Sequence, residues 1–188
     1  INLIKDNPDF EEVQVAGKGF INIYFKKHIW WNLLPIILEK KEKYGDTDFG
    51  KNEKINLEYV SANPTGPLHV GHTRGAVFGD TLSNILKKVG YNVCKEYYVN
   101  DAGEQVDKLA HSVFIRYKEA CGESIDEIPE GLYPGDYLKS VGIDLKSKYK
   151  ESFLDTEEEH WLPIVKEFSI NSMLNIIKKD LSLLQINH

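Results

Sequence analysis

The chain has 188 residues, a formal net charge of −6, 41% hydrophobic residues and 11% aromatic residues. That length accommodates one substantial core with a small additional domain, and the composition is that of a folded globular protein rather than a disordered one. The acidic balance excludes a surface that binds nucleic acid throughout, although local basic patches remain compatible with it, and no apolar run is long enough to span a bilayer.

The first residues, Ile1-Asn-Leu-Ile-Lys-Asp-Asn-Pro8, lack the basic start and apolar centre of a signal peptide, so a cytoplasmic location is expected. Residues 1–45 read as a small α+β unit. Val13-Gln-Val15 and Phe20-Ile-Asn-Ile-Tyr-Phe25 form a predicted hairpin across Ala16-Gly-Lys-Gly19, whose glycines permit a tight turn. A helix follows, with Ile29, Leu33, Ile36, Ile37 and Lys40 at suitable spacing, and Pro35 either kinks it or marks its start. The stretch from Tyr44 to Glu53 is polar and turn-rich, and residues 46–53 are the expected linker.

From residue 54 onward the pattern is strand, helix, strand, helix. Lys54-Ile-Asn-Leu-Glu-Tyr-Val60 reads as a buried strand, and Phe78, Leu82, Ile85, Leu86 and Val89 recur at helical spacing after it. Tyr91-Asn-Val-Cys-Lys-Glu-Tyr-Tyr-Val99 is the next strand, and Asp101 with Glu104 makes a plausible capping pair for the helix whose face carries Val106, Leu109, Ala110, Val113, Phe114 and Tyr117. A loop over 120–134 precedes two further helices, Tyr137 to about Lys150 and Leu162 to about Leu184, the last with Met173, Ile176, Ile177, Leu181 and Leu184 on one face. Such βαβα alternation predicts a parallel sheet with covering helices, in which ligands bind beyond the carboxyl ends of the strands.

Those ends carry the chemistry. The run Ser61-Ala-Asn-Pro-Thr-Gly-Pro-Leu-His-Val-Gly-His72 turns a strand into a helix, and Asn100 with Asp101 falls at the end of the neighbouring strand as a candidate rim. The first turn of a helix has unpaired N–H groups and the positive end of the dipole, which favours an anion. His69 and His72 add donors for phosphoryl oxygens, and Gly71 between them lets a flat nucleobase approach the backbone. A metal site is disfavoured because no third ligand lies near in sequence. Cys94 and Cys121 are distant from each other and lack a Cys-x-x-Cys partner, which points to free thiols. Lys26-Lys27-His28 and Lys146-Ser-Lys-Tyr-Lys150 are candidate basic patches, with a solvated face the simpler reading of each.

His69-Val-Gly-His72 resembles the His-x-Gly-His signature of class I aminoacyl-tRNA synthetases. The longer run Glu58-Tyr-Val-Ser-Ala-Asn-Pro-Thr-Gly-Pro-Leu-His-Val-Gly-His-Thr-Arg-Gly-Ala76, with Glu96-Tyr-Tyr-Val-Asn-Asp-Ala-Gly-Glu-Gln-Val106, resembles the arginyl-tRNA synthetases in particular. Tyr133-Pro-Gly-Asp-Tyr-Leu138 is similar to a third stretch of that family. The resemblance implies a Rossmann-type α/β catalytic domain, its first half occupying 54–188, preceded in 1–45 by the tail of a small α+β domain that contacts tRNA. It implies ATP with Mg2+, L-arginine and tRNA(Arg) as substrates of a monomeric arginine-tRNA ligase, with no protein-bound metal and no membrane. His69 and His72 are the implied catalytic donors, with Gly71 they form the implied ATP site, and Glu58, Ser61 and Asn63 match the family's arginine-binding positions. A guanidinium is planar, always charged and forked, so a carboxylate such as Glu58 is its fitting partner.

The second class I signature, Lys-Met-Ser-Lys-Ser, is absent, and Arg74 is the one cation between Lys54 and Lys87. The chain also begins without Met and stops at Leu183-Leu-Gln-Ile-Asn-His188, where another strand is expected. It therefore reads as a piece of a longer enzyme. Two other readings stand beside this one: a small-molecule nucleotidyltransferase sharing the His-x-Gly-His loop, and a non-catalytic binding protein derived from a synthetase.

Overall fold

The computed structural model describes residues 2–188, and it divides into a first unit ending at Phe49 and a second running Gly50–His188. In the first unit, β1 (Phe10–Ala16) pairs antiparallel with β2 (Phe20–Phe25), and α1 (Lys27–Lys40) follows, ending in a single 3-10 turn over Lys41–Lys43. Pro35 lies inside α1 rather than at its start, so the carbonyl one turn earlier has no N–H from residue 35 to accept. Edge-to-face contacts of Phe25 with Phe10 (5.3 Å) and Trp30 (5.7 Å) tie the hairpin to the helix. No side chain of α1 is buried. Lys26 donates to the Pro8 carbonyl at 2.6 Å and His28 lies 3.5 Å from Asp9, so two members of the Lys26-Lys27-His28 patch are engaged locally.

The second unit is built on a parallel pair, β3 (Lys54–Glu58) and β4 (Asn92–Glu96), joined through α2 (Val70–Lys88), with Lys54 opposite Asn92 and Glu58 opposite Glu96. Three helices complete it: α3 (Glu104–Cys121), α4 (Tyr137–Tyr149) and α5 (Glu158–Leu183). The expected face of α3 is buried throughout: Leu109, Ala110, Val113 and Tyr117 are inaccessible, and they pack with Leu138, Val141 and Leu145 of α4 and Trp161, Val165 and Met173 of α5. Gly142 lets α4 approach α3 closely, since a Cβ there would meet the Arg116 backbone at 2.5 Å. A second, smaller cluster joins Tyr59, Ala76, Ile177, Leu181 and Ile186, so α5 serves both cores.

Several local expectations are corrected. β3 is not a buried strand: Ile55 and Leu57 are half-buried and Asn56 and Glu58 exposed, because a two-stranded sheet leaves one face open. Helix α2 turns its large residues inward only in part: Leu82, Leu86 and Val89 are half-buried. Phe78 and Ile85 are exposed, while Ala76, Gly79 and Ser83 face the core, because small residues allow the helix to sit close to Tyr59; a Cβ on Gly79 would fall 2.2 Å from that ring. Asp101 and Glu104 form no cap. The N-cap of α3 is Gly103 at φ 93°, a conformation that glycine adopts without steric cost, and no side chain caps the helix. Helix α5 starts at Glu158, about one turn before Leu162, with Pro163 inside it, and Leu184 lies exposed beyond its end.

Candidate nucleotide and amino-acid site

β3 ends at Glu58, and the chain leaves it through Val60 at φ 62°. A β-branched residue in the left-handed region is a strained conformation, and strain of this kind accumulates where a chain must be redirected toward a functional site. The loop that follows is tied at each step. Tyr97 donates its hydroxyl to the Ala62 carbonyl at 2.6 Å, Pro64 is fully buried, Thr65 N–H donates to the Asn63 carbonyl at 2.8 Å, and Tyr137 donates its hydroxyl to the Thr65 carbonyl at 2.8 Å. The loop then enters α2 at its N-cap, His69.

The two histidines cap the helix reciprocally. His69 Nδ1 accepts from the Gly71 N–H at 3.1 Å, and His72 Nδ1 accepts from the His69 N–H at 3.3 Å, while the rings stack with centroids 3.7 Å apart. Because each Nδ1 is an acceptor, each neutral ring carries its proton on Nε2, and that N–H is the donor the backbone leaves unused. Burial, and secondarily the neighbouring His69, push the His72 imidazole below its ordinary value, so it is neutral near pH 7. Gly71 is exposed, and a Cβ there would stand 3.0 Å from the His69 ring, which would have to give by a few tenths of an ångström to accommodate it.

Just past the end of β3, Ser61 donates to Glu58 Oε1 at 2.8 Å and accepts from the Tyr98 N–H at 3.0 Å. Glu58 and Glu96 are register partners at the carboxyl ends of adjacent parallel strands, with Asn56 donating to the Glu96 carboxylate, so two carboxylates share the exposed sheet face. Asn63 donates to Gln105 at 3.0 Å and accepts from Asn100 at 3.3 Å. On the inner side, Asp80 of α2 accepts from Lys95 of β4 at 2.5 Å and from the Tyr59 hydroxyl at 3.2 Å. Burial pushes the Asp80 carboxyl up, but the Lys95 hydrogen bond and charge outweigh it and hold it below its ordinary value; burial and Asp80 push the Tyr59 hydroxyl up to about 12. This network fixes α2 against both strands.

The structure thus joins Glu58 to Ser61, His69 to His72, and Asn63 to Asn100. It gives Asp101 no comparable link: the residue is exposed, before the start of α3. Gln105, Tyr97, Tyr98 and Tyr137 are site neighbours that sequence reasoning did not single out, and the Tyr133-to-Leu138 stretch was the one signal for the last. A cavity of about 350 Å3 is lined by Tyr97, Val99, Leu174, Ile177, Leu181 and His188 and includes none of the predicted site residues. Among the described residues no group of three metal-ligating side chains occurs, and no helix is long and apolar enough to cross a membrane. Cys94 and Cys121 are free, the former exposed. The second basic patch is engaged locally, with Lys146 donating to the Ala120 carbonyl and Lys148 lying over the Tyr149 and Phe168 rings.

Residues 33–130 match the family described as tRNA synthetases class I (R), catalytic domain. Arginine-tRNA ligase of Bartonella henselae is 54% identical over all 188 residues, which span 32% of that protein, and arginine-tRNA ligase of Rhodopseudomonas palustris is 54% identical over 178 residues, 95% of this chain and 30% of that one. The chain spans about a third of the length of these relatives. A crystal structure from Campylobacter jejuni described as an arginyl-tRNA synthetase superposes with a TM-score of 0.74 at 36% identity, covering 87% of this chain and 35% of that one. Thermus thermophilus arginyl-tRNA synthetase shares the fold, with a TM-score of 0.52 at 22% identity, over 96% of this chain and 29% of its own.

Proposed function

Because the chain belongs to the family of class I tRNA synthetases (R), catalytic domain, we propose that the full-length protein is an arginine-tRNA ligase and that this chain carries the His-x-Gly-His part of its active site. The observation that carries the reading is the reciprocal histidine cap: it orients two Nε2–H donors at a helix N-terminus a few residues along the chain from the Glu58–Ser61 pair.

The arginine carboxylate attacks the α-phosphorus of ATP, forming the carboxyl–phosphate bond of arginyl-adenylate as the bond to pyrophosphate breaks. A hydroxyl of the tRNA 3′-terminal ribose then takes the arginyl group and AMP leaves. The protein's part is positioning and stabilising the charge that develops on the phosphoryl oxygens. His69 and His72 donate to the phosphates and the ribose end of ATP, with Gly71 beneath the adenine. Glu58 receives the guanidinium, helped by the negative potential of Glu96, while Ser61 and Asn63 hold the α-amino group through side-chain oxygens. Asn100 lines the rim through Asn63, with Asp101 beside it in the chain. Mg2+ enters with ATP.

Residues 1–45 are assigned to the N-terminal domain that contacts tRNA(Arg), 46–53 to the linker and 54–188 to the first part of the catalytic domain. We further assign the enzyme to the cytoplasm as a monomer. ATP-dependent charging of tRNA(Arg) with arginine by the full-length protein tests this reading, and charging with a different amino acid, or none, would overturn it. Residues 1–188 alone should charge nothing, since they contain no Lys-Met-Ser-Lys-Ser sequence.

A further inference from the structure

We infer that Tyr137 is a positioning residue for the active-site loop, holding the segment ahead of His69 through a hydrogen bond from a helix that contributes nothing else to the site. The inference rests on the functional reading above only for its kinetic arm.

Tyr137 is the first residue of α4, 72 positions away from Thr65, and its hydroxyl donates to the Thr65 carbonyl at 2.8 Å. That carbonyl lies four residues before His69. The ring is half-buried, and burial, with Tyr133 secondarily, pushes its hydroxyl up, so it is a protonated donor across the working pH range. Two glycines make room for it: a Cβ at Gly135 would fall 2.2 Å from the ring and one at Gly66 3.2 Å from the hydroxyl.

The loop that leads into Tyr137 is itself fastened to α3. Ser112, buried, accepts from the Tyr133 N–H at 2.9 Å while donating to the Lys108 carbonyl, and Arg116, also buried, donates to the Pro134 carbonyl at 3.1 Å. Leu138, next to Tyr137, is fully buried in the helical core. The helical core therefore ends in a rigid hydroxyl at the middle of the loop. Tyr97 holds the same loop three residues earlier, but from the position just after β4. Without the Tyr137 contact, the middle of the loop keeps the packing of Leu68 against the smaller core but loses its tie to the helical layer, and the phosphate-facing histidines lose a constraint on their distance from the Glu58–Ser61 side. Loss of one such neutral hydrogen bond corresponds to about a fivefold change in an equilibrium constant.

The test is Tyr137→Phe in the full-length protein, which keeps the ring and deletes the donor, with Tyr149→Phe as the control for an aromatic hydroxyl on the same core. Amide hydrogen exchange over residues 62–69 should accelerate in Tyr137→Phe and not in Tyr149→Phe, and the KM for ATP in arginine-dependent pyrophosphate exchange should rise about fivefold while the KM for arginine and the melting temperature stay close to wild type. Unchanged exchange in 62–69 would overturn the inference, as would parallel loss of melting temperature and of both KM values, which is the mark of a purely structural residue. If the wild-type enzyme shows no arginine-dependent activity, the functional reading fails while hydrogen exchange still decides the role of Tyr137.

Discussion

The α3–α4–α5 layer and the 59–72 loop are held together by different forces. The helical layer is a packed apolar core whose central residues, Leu109, Val113, Leu138 and Leu145, are inaccessible to solvent. After Tyr59, the loop buries little beyond Ala62 and Pro64 and is fixed by hydrogen bonds to its own carbonyls and side chains, two of them from the hydroxyls of Tyr97 and Tyr137. Burial gives a core many redundant contacts. A loop that must expose His69, His72 and Glu58 to ligands has no such redundancy, and its geometry depends on a few directional bonds. Stability and chemistry should therefore separate under mutation.

The largest effect belongs to the core. Leu109→Ala removes a fully buried side chain and should destabilise the second unit by about 3 kcal/mol in urea unfolding, with the affinity of the remaining folded protein for ATP little changed. A cost below about 1 kcal/mol would mean that the core is far more plastic than its packing indicates.

His72→Ala is the converse. It deletes one acceptor of the helix cap, at about 1 kcal/mol of stability, but should lower the rate of adenylate formation in the full-length enzyme by at least roughly tenfold. Equal rates for mutant and parent would remove this histidine from the mechanism. Glu58→Gln sharpens the same contrast within the site. By deleting the charge and leaving the shape, it should weaken arginine binding by about tenfold and leave ATP binding nearly untouched, as measured by calorimetry. A matching loss for both ligands would make Glu58 a residue that supports the loop.

The smallest effect is on pH. The folded His72 imidazole sits below its ordinary value, so the unfolded chain binds the proton more readily. The cap's contribution is therefore complete above the unfolded value of about 6.5 and declines as pH falls through the lower folded value. Urea midpoints measured from pH 7.5 downward should fall more for the wild type than for His72→Ala, and identical slopes would contradict a neutral, capping His72.

What the sequence made legible follows the same division. The face of α3 was readable because its six apolar positions repeat at the helical period and all of them are in fact buried. The reading held only in part for α2, where Leu82, Leu86 and Val89 are half-buried but Phe78 and Ile85 are exposed, and the fully buried positions are Ala76, Gly79 and Ser83. Small residues are weak hydropathy signals but strong determinants of how closely a helix can approach. The His69-to-His72 run was visible as a strand-to-helix junction, yet the use of both Nδ1 atoms in capping was not, since ring orientation is set by local backbone geometry. The links from Asn63 to Gln105 and from Thr65 to Tyr137 span 42 and 72 positions. No local pattern encodes contacts of that range; they appear only once the helices are packed.

The central claim is that the histidine cap serves an arginine-activating site, and pyrophosphate exchange by the full-length protein tests it most directly. Labelled pyrophosphate should enter ATP only when arginine is supplied, and His72→Ala should slow that exchange by at least about tenfold without unfolding the protein. Exchange supported equally by another amino acid, or undiminished in the mutant, would contradict the account.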